Sequence, residues 1–460
     1  MMQFVCLTYY FLLILISGYI LVSVIFPSRE MSFEKIFSFS GLSGLGVMPF
    51  LLFYADLAVP VSSRVFLLLL PVPLAIALYF ILWKKIFVKV SGSLLASFYG
   101  PGGDKMILFL PAAVIVSSFA VVAAHSFLTP LYEWDAFAIW FLKAKVLYFS
   151  EIGKSEYFTA LPLSYSHLDY PLLLPYLIKG IYSICGGVDE VLGRAIFPFL
   201  YLCFMFLIIS ILSEYVKKII VLILAAFYLS IPAVIRWWGS GNADILLAVF
   251  NFCSVYFIFD YLREKGKGDT AKIIFAFVFA AFAAFTKNEG LPLAVINIVV
   301  LIVFLALASG KLDRLRQVIP WIAVPVLLIL PWLIFSRDIP RTHENYGEKM
   351  NLPEFVANFW KMKFIVPIFS QEFADFAKWG ILWPVVGVLL LKFKTGAKMI
   401  YLWSVLILYV ILFALVFSVS PSSLEFLAMT ALERLFLQIS PVAFLIVALS
   451  VSDMLGDEII

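Results

Sequence analysis

The amino-acid sequence predicts an all-α fold, a polytopic transmembrane helical bundle of about 13 spans. Three observations carry that expectation. Hydrophobic residues make up 64% of the 460-residue chain and charged residues only 13%, where an ordinary soluble domain carries about 25% charged residues. The apolar residues fall in near-continuous runs, most of them close to the roughly 20 residues that cross a hydrocarbon core. Short polar clusters separate the runs, and Lys/Arg-rich loops alternate with acidic ones.

Taken in order, the expected spans are 5–26, 41–59, 65–83, 106–128, 194–213, 219–235, 243–262, 272–286, 291–309, 318–335, 376–392, 399–418 and 435–452. The first lacks a basic start and a small-residue cleavage site, so it reads as a retained anchor rather than a secretory signal. One set of loops is short and basic: 27–40, KKIFVKV with Lys105, Lys217-Lys218, REKGKGDTAK, GKLDRLRQ and KFKTGAK. The other set, 60–64, 129–193, 236–242, 287–290, 336–375 and 419–434, holds most of the acids. Basic loops stay in the cytoplasm, which predicts an amino terminus outside, a carboxyl terminus inside and a polar site facing away from the cytoplasm. The expected localisation is the inner (cytoplasmic) cell membrane.

The chain reads as one membrane domain in two parts. Residues 1–105 supply helices with no chemistry beyond Asp56. Residues 106–460 carry the long outer loops 129–193 and 336–375. Within the first loop, 136–149 and 171–185 are expected to be helices lying in the interface, with the stems of Lys143, Lys145 and Lys179 reaching headgroup level. A third amphipathic helix is expected after Asn351-Leu-Pro. Net charge is only +4 and the basic residues are scattered, so no nucleic-acid partner is expected. Cys6, Cys203 and Cys253 lie in apolar runs and Cys185 outside them, which implies no disulfide framework.

Ionisable groups held at membrane depth or its edge are costly, and they mark sites more often than accidents. Asp135 lies between Trp134 and Phe137 just past a span, where a partly desolvated carboxylate suits a general base; the plainer reading is a helix cap. Glu133 with Asp135 also offers a divalent-cation site, although an acid-x-acid triplet is a weak signal. His167, Asp169 and Tyr170 precede an interfacial helix and can orient a sugar hydroxyl, or Asp169 and Ser166 simply cap that helix. Arg236, Asn242 and Asp244 flank a Gly-Ser-Gly turn where backbone amides can approach a ligand. In Thr286-Lys287-Asn288-Glu289-Gly290 almost no loop separates two apolar runs, so Lys287 either pairs with Glu289 or faces an anionic headgroup. Arg337, Arg341 and His343 open the second long loop, the Glu433-Arg434 pair sits at the mouth of the last span, and Arg presents a fork suited to phosphate oxygens.

These motifs together, W-D-A-F-A-I-W-F-L-K-A-K, H-L-D-Y-P-L-L-L-P, N-A-D and T-K-N-E-G, resemble bacterial membrane glycosyltransferases of the GT-C superfamily, relatives of the protein O-mannosyltransferases and of the lipid A aminoarabinose transferase. The resemblance covers roughly 129–451. It implies a periplasmic active site and a polyprenyl-phosphate sugar donor. It implies Asp135 as catalytic base; His167 and Asp169, which can orient a sugar hydroxyl or an acceptor near it, complete the catalytic candidates from the residues themselves. It makes Lys287 the first choice for the donor phosphate, followed by Arg236, Arg341 and Arg434. Glu133, Lys143, Tyr170, Asp244 and Glu289 are the remaining substrate-binding candidates, and no metal cofactor is expected. The acceptor is a glycan, lipid or protein hydroxyl. In such relatives the acidic loop follows the first span; here it follows the fourth.

An outward site has no supply of nucleotide sugars, which agrees with a lipid-borne donor. Two other readings compete: a transporter or flippase of lipid-linked or anionic sugars, which needs polar or broken helices near the midplane, and an O-antigen polymerase or ligase, whose long outer loop comes late.

Overall fold

A computed structural model describes residues 2–58, 62–95, 105–150, 152–264, 268–307, 312–340, 346–391 and 397–455. The protein is an all-α, multi-pass membrane protein. Among the described residues ten helices are long and apolar enough to cross a bilayer, and an eleventh is a bent pair, Lys218–Leu229 with Pro232–Trp238, turned by 66° at a break. The two remaining expected spans are helical but short, Thr270–Thr286 and Leu382–Leu391. Length separates them from the rest, not composition.

Two compact units divide the chain. The first comprises Met1–Tyr157, Leu172–Ser230 and Val234–Ala243. Its helices are α1 (Met2–Ile25), α2 (Phe33–Ala58), α3 (Ser63–Trp83), α4 (Lys105–Leu128), α5 (Leu142–Phe149), α6 (Leu173–Cys185), α7 (Glu190–Leu212) and α8 (Lys218–Leu229). Helix α1 packs on α2 backbone to backbone. A Cβ at Gly18 would lie 1.8 Å from the Ser40 carbonyl oxygen, and one at Gly44 would lie 1.9 Å from that of Ile14. In lipid, where apolar burial does not drive helices together, such close approach gains dispersion contact instead. A two-residue parallel pair, β1 (Glu30–Met31) with β2 (Lys89–Val90), ties two of the basic loops together.

Helix α6 departs from the interfacial expectation. Nearly all of it is buried, and Lys179 does not reach out to headgroups. Its ammonium is bonded to the Asp56 carboxylate, which also accepts from the Tyr176 hydroxyl at 2.9 Å and from Ser63 at 3.2 Å. An amine that finds a carboxylate inside the fold has no reason to extend to water. Lys145 lies 2.5 Å from Glu190 with both side chains more than a third exposed, and Lys143 is fully buried.

The second unit comprises Phe158–Pro171, Ile231–Ala233 and Asp244–Ile460. Its helices are α9 (Asp244–Arg263), α10 (Thr270–Thr286), α11 (Gly290–Leu307), α12 (Leu312–Asp338), α13 (Met362–Phe373), α14 (Leu382–Leu391), α15 (Ala397–Val419) and α16 (Leu424–Met454). Helix α9 is central and buried along almost its whole length, packing on α10, α15 and α16. A polar knot joins three of these helices. Asn297 on α11 donates to Asn251 on α9 at 3.0 Å, and the Tyr409 hydroxyl on α15 bonds to both. The expected helix after Asn351 forms as Leu352–Asn358, with the Asn351 side chain accepting from the Glu354 amide at 3.0 Å.

Candidate functional site

The acidic stretch of the first unit leaves α4 through a clamped turn. Arg194, buried at the start of α7, donates to the backbone oxygens of Thr129, His125 and Pro130, the last two at 3.3 and 3.4 Å. Composition gives no sign of this role, because a single Arg between VDEVLG and an apolar run looks like an ordinary interfacial cation. The turn leads into a π-helical segment, Ala136–Phe141, that continues as α5. π-Helical turns are rare and frequent at functional sites.

Asp135 is half-buried at the head of that segment. Its side chain makes no capping bond to the π-helical segment. Glu133 turns toward Arg236, with 3.8 Å between them, and the Arg236 guanidinium lies over the Trp237 ring. Burial and then the Glu133 carboxylate push the Tyr132 phenol up. Tyr132 therefore stays protonated, 3.1 Å from the His125 ring nitrogen and stacked against that ring. Trp134 and Phe137 meet edge to face and are exposed.

The Gly-Ser-Gly turn serves packing in this unit. Gly241 has φ +89°, and a Cβ there would lie 2.8 Å from Leu131 and 3.1 Å from Ala136. Only glycine lets the turn press against the acidic stretch. Among the described residues no group of three or more His, Cys, Asp or Glu is arranged to hold a metal ion.

The second unit gathers most of the other candidates. Asp244 opens α9 and is fully buried. It accepts from Lys287 at 2.9 Å and from Gln438 at 2.8 Å, and Arg434 lies 3.8 Å from its second oxygen. Lys287 follows the last residue of α10 in an extended conformation, φ −157° and ψ 157°. That directs its ammonium between two acids, since Glu289 also lies 2.9 Å away. Lys287 is thus paired with Glu289, the connector reading, and is also bound to a second acid on another helix. Arg434 is steadied by a bond from its Nε to the Thr430 carbonyl at 2.9 Å. Its neighbour Glu433 faces the other way, 3.6 Å from Lys378.

The same short connection reaches the H-L-D-Y motif. The Asn288 amide donates to Asp169 at 3.3 Å. Asp169 is buried and does not cap the following helix; α6 begins after Leu172 with no side-chain cap. His167 takes a left-handed conformation, φ 47°, that turns the chain, and its ring stacks on Tyr170 with centroids 4.5 Å apart. Ser166, the other expected cap, bonds back to the Leu163 carbonyl. Arg341 and His343 lie outside the described residues.

Asp169, Asp244, Lys287 and Glu289 therefore occupy one unit with Arg434, while Glu133, Asp135, Lys143 and Arg236 occupy the other. Gln438 and Asn288 join the cluster without having been singled out, because neutral amides leave no mark on a charge pattern.

Residues 169–335 match the family described as dolichyl-phosphate-mannose-protein mannosyltransferase. The matched stretch opens at Asp169 and includes Asp244, Lys287 and Glu289; Glu133, Asp135 and Arg434 lie beyond it. No curated protein and no solved structure matches the chain.

Proposed function

We propose that this protein is a membrane glycosyltransferase that moves a sugar from a polyprenyl-phosphate donor to an acceptor hydroxyl on the outer face of the inner (cytoplasmic) membrane. The reading is supported above all by one coincidence: the stretch similar to the mannosyltransferase family contains three members of the Asp244–Lys287–Glu289–Arg434 cluster. The name of that family describes a lipid-phosphate sugar donor. The outward assignment rests on the alternation of basic and acidic loops.

In this reading the reaction is a displacement with inversion. The Asp135 carboxylate takes the acceptor proton, and the freed oxygen attacks the anomeric carbon. The bond from that carbon to the phosphate oxygen breaks, and its electron pair leaves with the polyprenyl phosphate. Negative charge grows on the phosphate during the step, so fixed cations stabilise the transition state more than the ground state. Lys287 and Arg434 are assigned that task, with Arg236 and Arg341 as further phosphate ligands, and no metal is required. His167, Asp169 and Tyr170 position the sugar hydroxyls, together with Glu133 and Lys143.

The charges in the cluster refine the role of Lys287. Two cations face two carboxylates, so the group is neutral as it stands. Asp244 is fully buried, whereas the Glu289 side chain is 27% exposed. An arriving phosphate therefore displaces Glu289 from Lys287 and leaves Asp244 in place as the anchor.

Purified protein is incubated with a panel of radiolabelled polyprenyl-phosphate sugars, with and without chelator. Transfer from at least one donor, unaffected by chelator, is expected. Asp135→Asn is expected to lower transfer by about 10³-fold or more, a loss typical of removing a key catalytic group, with donor affinity unchanged. Normal turnover by that variant refutes Asp135 as the base, and the absence of transfer from every donor refutes the class.

A further inference from the structure

Two acceptor oxygens stay unsatisfied inside the cluster of the second unit. The Asp244 carboxylate spends one oxygen, Oδ1, on two donors, Lys287 at 2.9 Å and Gln438 at 2.8 Å. Its other oxygen, Oδ2, is buried and accepts no hydrogen bond; the Arg434 guanidinium, 3.8 Å away, is an ion-pair neighbour beyond bonding distance. Gln438 points its nitrogen at Asp244, so its carbonyl oxygen, Oε1, turns away and is likewise buried with no donor. Both side chains are fully buried.

A buried acceptor that meets no donor carries its full desolvation cost, and such groups in a folded protein call for an explanation. Here the fold holds both oxygens in place. Asp244 opens α9 and Gln438 stands on α16, which packs along α9. The bond between the two side chains, reinforced by Lys287, orients the carboxylate and the amide together.

The neighbours say what kind of donor suits them. A metal or ammonium ion beside Asp244 meets the charges of Lys287 and Arg434 and is repelled, so a neutral donor fits. Hydroxyls are neutral donors, and two acceptors take two of them. In a sugar joined to phosphate through its anomeric carbon, the hydroxyl nearest the phosphate is on carbon 2 and the next is on carbon 3. The ring oxygen, on the other side of the anomeric carbon, has no proton to give. Cations that hold the phosphate therefore bring this diol toward the acceptors beside them. Glu289 is the partly exposed member of the cluster, and its release from Lys287 opens the way in.

We propose that Asp244 Oδ2 and Gln438 Oε1 read the neighbouring hydroxyls on carbons 2 and 3 of the donor sugar, which makes Gln438 a specificity-determining residue. The inference rests on the reading of Lys287 and Arg434 as ligands of the donor phosphate. A site whose buried acceptors are matched by substrate hydroxyls rejects analogues lacking them far more strongly than an apolar pocket rejects a missing methylene.

The test measures equilibrium binding to the full chain in phosphatidylcholine nanodiscs. The probes are a short-chain polyprenyl phosphate, its mannosyl and glucosyl esters, and the 2-deoxy-2-fluoro and 3-deoxy-3-fluoro forms of the tighter-binding ester. Fluorine fills the place of a hydroxyl and cannot donate, so it separates donation from size. Each fluoro form is expected to bind about tenfold or more weakly than its parent, the cost of leaving a buried acceptor without a donor. Gln438→Met removes one acceptor and is expected to cancel one of the two penalties while the bare lipid phosphate binds as before. Each penalty is a ratio between two ligands of the same protein, so a general loss of folding does not mimic the effect. The fluoro forms act on the unmodified protein and decide the matter even where Gln438→Met does not fold. The inference is overturned if either fluoro form binds like its parent, if neither ester binds while the bare lipid phosphate does, or if a folded Gln438→Met retains both penalties. Failure of the bare lipid phosphate and of both esters to bind overturns the phosphate reading itself, and this inference with it.

Discussion

If Glu289 competes with the donor phosphate for Lys287, removing its charge must tighten donor binding. Glu289→Gln keeps an oxygen that can accept from the ammonium and removes only the charge. The two groups are 2.9 Å apart. A unit charge pair at that distance is worth about 1.4 kcal/mol at the permittivity of water and about 6 kcal/mol at an effective value of 20. Glu289 is partly open to solvent, which places the working figure toward the lower end, about 2 kcal/mol, or roughly 30-fold in affinity. The assay is equilibrium binding of a short-chain polyprenyl-phosphate sugar to purified protein in detergent. A 10- to 30-fold fall in Kd is expected in Glu289→Gln, absent when Lys287→Ala is added. Weaker or unchanged binding in the single variant refutes the competition argument and points to Glu289 touching the sugar instead.

Two further predictions concern the first unit. Lys179→Met leaves Asp56 charged and buried without its cation, a loss that costs about 3–5 kcal/mol, and the double variant Lys179→Met/Asp56→Asn is expected to recover most of it. Unfolding by denaturant in mixed micelles reads both, and equal destabilisation by the single and double variants would contradict the pairing. The Cys185 thiol is pushed up to about 12, first by burial and then by the neighbouring Cys6 thiol to which it is hydrogen-bonded. The Cys185 thiol therefore stays protonated at neutral pH. Copper–phenanthroline is expected to join them into an intrachain disulfide faster as pH rises toward that value, because the thiolate is the reacting species. Mass spectrometry of the peptides reads the bond, and its absence at pH 10 would sink the close approach of α1 and α6.

The all-α, multi-pass fold was legible because apolar run length and loop charge are direct consequences of a bilayer. Among the described residues each of the thirteen expected stretches carries a helix, and the departures are in length and continuity, as in the short Thr270–Thr286 and the broken Lys218–Leu229 with Pro232–Trp238. The candidate site was legible one residue at a time. Asp244, Lys287, Glu289 and Arg434 each announce themselves as charges at span ends. Their meeting does not, because helix periodicity says which face a residue occupies and nothing about which helix lies opposite. Gln438 stands one turn below Arg434 on α16 and carries no charge to draw notice. Lys179 was misread as a headgroup contact because its partner, Asp56, is 123 residues away. Asp169 and Ser166 were natural cap candidates by spacing, but α6 begins with no side-chain cap, and the Ser166 hydroxyl bonds back to the Leu163 carbonyl.

The knot of Asn251, Asn297 and Tyr409 has a consequence for biogenesis. Ribosomes deliver α9 and α11 to the bilayer well before α15, since Tyr409 is 112 residues downstream of Asn297. The two asparagines must satisfy each other during that interval, as lipid offers no donor or acceptor at such depth. The late tyrosine then acts as a latch, and a nascent chain stalled before it holds an assembly intermediate with an open polar seam.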